Sequence, residues 1–320
     1  VSSDSAPVAI GVDVGGTHLR AGAVSVHGEV SRLVRRRSDV DDPAALVASI
    51  AAAVEEVSAD VGAGGGTTPV PLLGALPVGL GFAGLVTREG GFLYGPNVGV
   101  GVTPLRALLS DATGRRVHVL NDATAAVIAE QRVGAARGHD DVVLLTLGTG
   151  VGGGAISGGQ VLLGAHGLAA ELGHIIIEDG GRPAPSGIRG TLEGYASGRA
   201  VAHAAAEAAA RGEVGARALD ASGVVAAATD GEAWAVALLE DVGHWLAVGV
   251  ASLAAVLDPT IVVIGGGAGL AMAPWVLPVV RAELPELLLG GRVRPAIEVT
   301  SAALGDEAGL VGAALAASDA

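Results

Sequence analysis

Short β-branched runs alternate with longer helix-patterned stretches along this 320-residue chain, and that alternation predicts an α/β protein. A glycine turn closes an apolar run near the N-terminus and another near the middle, each time with a second apolar run directly behind it. Two such hairpins predict two halves facing each other across a cleft. Half of the residues are apolar, enough for a sizeable core, and the length suits two ordinary domains or one large α/β unit.

The elements follow in order. Strands are expected over Val8–Val14 and Leu19–Val26, a helix over Pro43–Val57, and a loop from Gly62 to Pro71, after which strand-like sequence resumes at Leu72–Phe82. Helix Pro104–Ala112, strand Val117–Leu120 and helix Ala123–Val133 come next, then strands Val142–Leu147 and His174–Ile177. Helix Trp234–Leu257 is amphipathic at first and then almost wholly apolar, so it should enter a core before Asp258-Pro259 stops it. Strand Thr260–Ile264 and helix Trp275–Leu284 complete the pattern.

Composition excludes several classes of function. A formal charge of −14 argues against a nucleic-acid surface. There is no cysteine, hence no disulfide and no thiolate metal site. All 19 basic residues are arginine, which rules out a P-loop lysine and Schiff-base chemistry. The first seven residues lack the regions of a signal peptide, and the longest apolar run, Trp245 to Leu257, is too short to cross a bilayer. A soluble, cytoplasmic protein with no membrane partner is expected. The 52 glycines, roughly twice the ordinary share, cluster after apolar runs.

Asp13-Val14-Gly15-Gly16-Thr17 joins the first two strands. Gly15 and Gly16 have access to backbone angles closed to other residues and leave N–H groups bare for an anion, while Asp13 could hold Mg²⁺ directly or through water. An ordinary hairpin with a solvated aspartate explains the same residues. Gly148-Thr149-Gly150-Val151-Gly152-Gly153 matches a dinucleotide pattern, but a strand follows where a Rossmann turn opens a helix. It is either a phosphate-cradling turn or a structural hairpin. Gly265-Gly266-Gly267 ends a strand and either admits a flat or anionic ligand or serves packing alone. Asn121-Asp122, between a strand and an alanine-rich helix, is either an N-cap or a pair that binds a polyol and takes a proton from it. Glu171, His174 and Glu193 offer acceptors and donors for hydroxyls, or are surface charge; their spacing is not that of a zinc helix.

Taken in order, these segments resemble the ROK family of sugar kinases and related repressors, with Gly95-Pro96-Asn97 similar to its Pro-Asn segment; the likeness runs from about residue 8 to the C-terminus. The resemblance implies an actin-like, ribonuclease-H-like duplicated α/β fold with two domains flanking a cleft. A small domain of residues 1–120 plus 305–320 and a large one of 121–304 are expected. It implies a hexose kinase, with glucose phosphorylated to glucose 6-phosphate by ATP. Asp122 would be the general base, and Asn97, Asn121, Glu171, His174 and Glu193 would hold sugar hydroxyls. Asp13, Gly15, Gly16, Thr17, Thr149 and Gly150 would bind Mg²⁺ and the phosphates of ATP, and Gly265, Gly266 and Gly267 would border the adenosine. Phosphoryl transfer needs mainly positioning and charge stabilisation, which backbone amides supply without lysine. A homodimer or homotetramer is also implied.

One departure stands out. Most members carry a zinc loop, C-x-C-G-x-x-G-C-x-E, closed by the histidine equivalent to His174. Here Ala184, Ser186 and Thr191 stand at the cysteine positions, while Glu193 remains. No structural zinc is expected; Pro183 and Pro185 should stiffen the loop, and Ser186 and Thr191 should bond across it. Polyphosphate-using relatives also lack these cysteines, but Tyr195-Ala196-Ser197-Gly198 resembles the ATP-using members. The alternatives are a kinase for mannose, fructose or N-acetylmannosamine, and a non-catalytic sugar-binding member. A repressor is disfavoured because only seven residues precede Val8, too few for a helix-turn-helix.

Overall fold

The computed structural model describes residues 6–59, 76–96, 98–212, 214 and 220–320. In the first of two units, β1 (Pro7–Val14) and β2 (His18–Ser25) form the expected hairpin, with Asp13 opposite Arg20 and Val14 opposite Leu19. The unpredicted strand β3 (Val30–Arg37) pairs antiparallel with β2 at the sheet edge. Four of its eight residues are arginine, which obscures the strand signal in the sequence and suits a half-exposed edge that must not pair with another chain. Strands β4 (Val78–Phe82) and β7 (Val117–Asn121) extend the sheet in parallel, giving the order β3-β2-β1-β4-β7. A small ribbon, β5 (Leu85–Val86) and β6 (Phe92–Tyr94), lies after β4. Residues 72–75 of the expected strand and the expected loop at 62–71 lie outside the described residues.

Helices α1 (Pro43–Ala59) and α2 (Leu105–Thr113) cover one face of this sheet, where Ile10, Val12, Leu46, Ile50, Leu80, Leu105 and Leu109 form a dry core. Phe82 and Phe92 meet edge to face in it, with ring centroids 5.1 Å apart. Two more helices, α3 (Asp122–Val133) and the C-terminal α9 (Ala308–Asp319), pack against each other and against the sheet. Their approach is too close for side chains: a Cβ on Gly312 would stand 1.7 Å from the Ala125 carbonyl oxygen, and one on Gly79 1.9 Å from that of Ala313. Arg132 adds an ion pair to Asp319 at 2.6 Å and a bond to the Leu315 carbonyl at 3.1 Å.

These contacts move the boundary. The first unit comprises Val1–Arg137, Val161–Ala170 and Glu307–Ala320, and the second Gly138–Gln160 and Glu171–Asp306. Residues 121–137, expected in the large domain, belong with the first unit because α3 has its backbone seated on α9.

The second unit repeats the plan. Strands β8 (Val142–Leu147) and β9 (Val151–Ser157) form an antiparallel hairpin, and β11 (Ile261–Gly265) and β12 (Glu298–Ser301) continue from β8 in parallel. With β10 (Gln160–Val161) the order is β10-β9-β8-β11-β12, a hairpin plus two parallel strands as in the first unit. The expected strand His174–Ile177 is instead a 3-10 turn, Leu172–His174, followed by a single bridge from Ile176 to Thr191. Helices α4 (Glu193–Ala196), α5 (Gly198–Ala210) and α6 (Ala221–Thr229) come next. Alanine-rich α5 and α6 carry few large apolar residues to mark a helix in sequence.

Helix α7 (Ala233–Leu257) is one continuous 25-residue element, longer than the apolar run within it. By length and composition it could cross a membrane, yet Leu239, Val242, Leu246 and Val250 are buried inside the unit. It packs on α8 (Gly267–Leu287), which runs well beyond the expected Trp275–Leu284 despite Pro274, Pro278 and Pro285. Each proline removes a helical hydrogen bond. Tertiary contact holds the helix: Gly243 lies against Val279, and His244 Nδ1 meets Glu283 Oε2 at 2.7 Å.

Replacing Gly312 by alanine should destabilise the first unit by at least the 1–3 kcal/mol or so typical of overpacking, because backbone rather than a side chain must yield. A thermal midpoint lowered by several degrees, with circular dichroism of the folded state unchanged, is the expected result.

Candidate functional site

In the first unit Asp13 ends β1 with its carboxylate against Gly309 in the first turn of α9, and Arg20 stands 3.5 Å away. The turn that follows is pinned by Gly15 N–H to the His18 carbonyl at 3.0 Å and by the Ser38 hydroxyl to the Gly15 carbonyl at 2.8 Å. Neither Gly15 nor Gly16 has a positive φ, so these glycines do not use the left-handed angles expected of them. What they contribute is a bare, exposed backbone at Gly16 and Thr17.

Asn121 and Asp122 divide the two roles that the sequence left open. Asn121 is the N-cap of α3: its Oδ1 accepts from Thr124 N–H at 2.9 Å, and its Nδ2 donates to the Gly84 carbonyl at 3.1 Å. Its amide is therefore engaged with the protein at both ends. Asp122 occupies the first helical turn, where Oδ1 accepts from Ala123 N–H at 2.9 Å. Burial of its carboxyl raises its pKa, and the bonds to the Ala123 amide and to Asn121 only partly offset this. Asn97 lies outside the described residues.

In the second unit one turn gathers several of the expected residues. Gly148 N–H bonds the Gly150 carbonyl at 2.9 Å, and Gly198 N–H donates to the Gly148 carbonyl at 2.8 Å. The next amide, Val151 N–H, donates to Glu193 Oε2 at 3.0 Å. Glu193 is only 9 % exposed, so one oxygen of this carboxylate is committed to the turn, a structural duty that the sequence did not show. Gly173 presses on the same residue, since a Cβ there would fall 2.0 Å from the Val151 carbonyl oxygen. The turn bearing Glu171 and His174 thus packs where Glu193 is anchored.

The segment between them, residues 175–192, is a folded-back loop. Leu192 N–H reaches the Ile175 carbonyl at 3.0 Å, Gly190 N–H that of Arg182 at 2.8 Å, and Ala184 N–H that of Ile188 at 3.1 Å. Tyr195 clamps it to α4. The phenol is 1 % exposed, donates to Glu178 Oε2 and accepts Arg182 N–H at 2.8 Å, while the Arg182 guanidinium lies 4.8 Å from the ring centroid. Trp245 packs against the ring at a 40° tilt, with centroids 4.3 Å apart. Burial and the Glu178 carboxylate push the Tyr195 phenol above its ordinary pKa. Of the two hydroxyls expected to bond across the loop, Ser186 accepts from Ile188 N–H at 3.4 Å, but among the described residues Thr191 Oγ1 has no partner, and neither has Nδ1 of His174.

On its other side the Gly148 turn borders a cavity of about 390 Å³ lined by Gly148, Thr149, Gly198, Arg199, Asp220 and Ala268 among others. Gly265 is buried in the sheet, and Gly266, with φ +77°, sits on the Leu147 backbone; it is Ala268, just beyond Gly267, that reaches the cavity wall. Arg199, Asp220 and Ser222 were not anticipated, since nothing in a run of alanines marks which face of a helix meets a cavity. Asp220 caps α6 through Gly223 N–H at 2.9 Å. Arg199 makes no ion pair or hydrogen bond among the described residues and also borders a second cavity, of about 370 Å³, beside Arg182, Glu193 and His203.

Residues 9–320 match the ROK family, described by that name. This chain belongs to the ROK family. A glucokinase from Streptomyces coelicolor is 36% identical over 317 residues, covering 95% of this chain and 96% of the relative. Another from Thermotoga maritima is 34% identical over 318 residues, covering 95% of each. Among solved structures, a ROK glucokinase from Streptomyces griseus in complex with glucose and AMPPNP superposes with a TM-score of 0.80 at 35% identity, covering 98% of this chain and 99% of that one. A ROK hexokinase from Thermus thermophilus gives 0.79 at 33% identity, covering 97% of each. The repeated sheet order of the two units is the duplicated, actin-like and ribonuclease-H-like α/β fold of this family.

Tyr195→Phe in this ROK protein should leave the Arg182 N–H and the Glu178 carboxylate without their shared partner, at a cost of about 1–3 kcal/mol. Differential scanning calorimetry should show a lower midpoint. Because the folded pKa of Tyr195 is raised, its contribution is complete below pH 10.0, the ordinary value, and is lost as pH rises through the folded pKa. The gap between wild type and variant should therefore close in strong alkali.

Proposed function

We infer that this protein is an ATP-dependent hexose kinase whose substrate is glucose, converted to glucose 6-phosphate. The Gly148 turn carries this reading. One short segment borders a nucleotide-sized cavity on one side and, through Val151 N–H, anchors a buried carboxylate on the other. The N-terminus of α8, with no side-chain cap, leaves amides available for an anion near the same cavity. Asp122 is the general base: a carboxyl with a raised pKa is a better proton acceptor when ionised, and it takes the proton of the attacking hydroxyl. Glu171, His174, Glu193, Asn121 and Asn97 hold the remaining hydroxyls, Asn121 chiefly by fixing the start of α3. Gly16, Thr17, Thr149 and Gly150 offer backbone and hydroxyl donors to the phosphates, Gly15 closes the first turn through its own N–H to the His18 carbonyl, and Gly265, Gly266 and Gly267 shape the approach to the adenosine. The single carboxylate of Asp13, tethered by Arg20, suits Mg²⁺ held directly or through water, and the ion would neutralise charge on the transferring phosphoryl group.

On the same reading the enzyme works in the cytoplasm, feeds glycolysis, binds no nucleic acid or membrane and assembles as a homodimer or homotetramer. A coupled assay with Mg²⁺ and ATP over glucose, mannose, fructose, N-acetylmannosamine and N-acetylglucosamine tests it, and glucose should give the highest kcat/KM. The second reading is an N-acetylmannosamine kinase. A bifunctional NanE/NanK enzyme of Brucella suis is 41% identical over 211 residues, covering 66% of this chain but only 36% of that enzyme. A preference for the N-acetylated sugar in the same assay would replace glucose.

Asp122→Asn should lower kcat by about 10²-fold or more, the scale of general-base catalysis, with sugar binding by calorimetry little changed. Only the ionised carboxylate accepts a proton, so wild-type turnover should fall as pH drops through a value above the ordinary 3.8. The opposite sign holds for folding: a raised pKa favours the folded state below 3.8, and that contribution disappears as pH rises through the folded value. Arg199→Ala should raise the KM for ATP about tenfold, the loss of one charge-assisted bond worth about 1.5 kcal/mol. The hexose KM should not move; steady-state kinetics with each substrate varied separates the two.

A further inference from the structure

Thr191 is fully buried, and its hydroxyl has no partner among the described residues; Nδ1 of His174 is sealed from solvent and has none among them either. Buried polar atoms are rarely left so, and two in neighbouring segments ask for something that satisfies both. The segments are paired: Leu192 N–H donates to the Ile175 carbonyl at 3.0 Å, and Ile176 stands opposite Thr191. Thr191 and His174 each precede one end of that bond.

The zinc ion that the family resemblance implies for this loop does not fit these residues. A structural zinc site needs four ligands drawn from thiolate, imidazole and carboxylate. His174 provides one nitrogen, Thr191 a neutral hydroxyl, Ala184 nothing, and Ser186 Oγ already accepts the Ile188 amide. No group of three His, Asp or Glu side chains suited to a metal exists among the described residues. Water has no such requirement. It carries two donors and two acceptors and is the usual occupant of a small polar void.

We propose that one buried water molecule joins Thr191 Oγ1 to His174 Nδ1, and that Thr191 is thereby the positioning residue that sets the tautomer of His174. The Thr191 hydroxyl donates to the water, and the water donates to Nδ1. The ring proton then resides on Nε2, where it is a donor for a substrate hydroxyl; the bond made by one ring nitrogen decides the state of the other. This last step rests on the reading of His174 as a hexose ligand, whereas the tautomer itself does not.

The test uses the full chain labelled with ¹⁵N, with the His174 resonances assigned by their loss in His174→Gln. The wild type should show a single Nε2–H tautomer. Thr191→Val, of nearly the same shape, should give a mixture of tautomers and a severalfold higher hexose KM, with kcat and the KM for ATP unchanged. Thr191→Ser should restore both. A merely structural role for Thr191 would lower the thermal midpoint without moving the tautomer. An unaltered tautomer in a folded Thr191→Val, or one tightly held zinc per chain by elemental analysis, would overturn the proposal. Should the wild type phosphorylate no hexose, the kinase reading fails, and the nitrogen shifts still decide the role of Thr191.

Discussion

A methyl group at Gly312 would stand 1.7 Å from the carbonyl oxygen of Ala125, and one at Gly173 would stand 2.0 Å from that of Val151. In both units backbone is laid directly on backbone, and the functional segments depend on those contacts. The first seats α9 on α3, the helix that begins with Asp122. The second seats the turn of Glu171 and His174 on the residue whose amide anchors Glu193. Gly312 and Gly173 are there because of such contacts, which no other residue permits.

The second unit then relies on polar bonds to hold a loop that has little apolar content. The Tyr195 hydroxyl serves two partners, Glu178 and the Arg182 amide, and its ring is in contact with both the Arg182 guanidinium and Trp245. Such a network is stiff when complete and costly when partial. It fastens the loop to α4, whose first residue is Glu193, so the carboxylate is fixed from its own helix, from the Val151 amide and from the loop behind it.

On the proposed function, the chain would meet anionic ligands without lysine. On that reading, the backbone at Gly16–Thr17 and Thr149–Gly150, the uncapped start of α8 and Arg199, which has no partner among the described residues, are its means of offering positive potential within a protein of formal charge −14. Fixed amide dipoles have the advantage of needing no reorganisation as charge develops on a transferring group.

Much of this was written in local sequence. Short, nearly continuous apolar runs determined β1, β2, β8 and β11, and the strand after Gly150 excluded a Rossmann turn, because these signals reside in a few consecutive residues. Asp122 and Glu193 were legible by type and spacing. Their divisions of labour were not: that Asn121 spends its amide on Thr124 and Gly84, and that Glu193 gives an oxygen to Val151, depends on partners 37 and 42 residues distant. The same is true of α8, which extends well beyond Trp275–Leu284 where α7 packs beside it, and of Arg199, which only the meeting of the Gly148 turn with the starts of α5, α6 and α8 places at a cavity wall. Sequence by itself determined most of the strands and longer helices and the chemistry on offer. Tertiary structure alone decided which polar atoms are already satisfied, since a hydrogen bond is settled by distance in space and not by position along the chain.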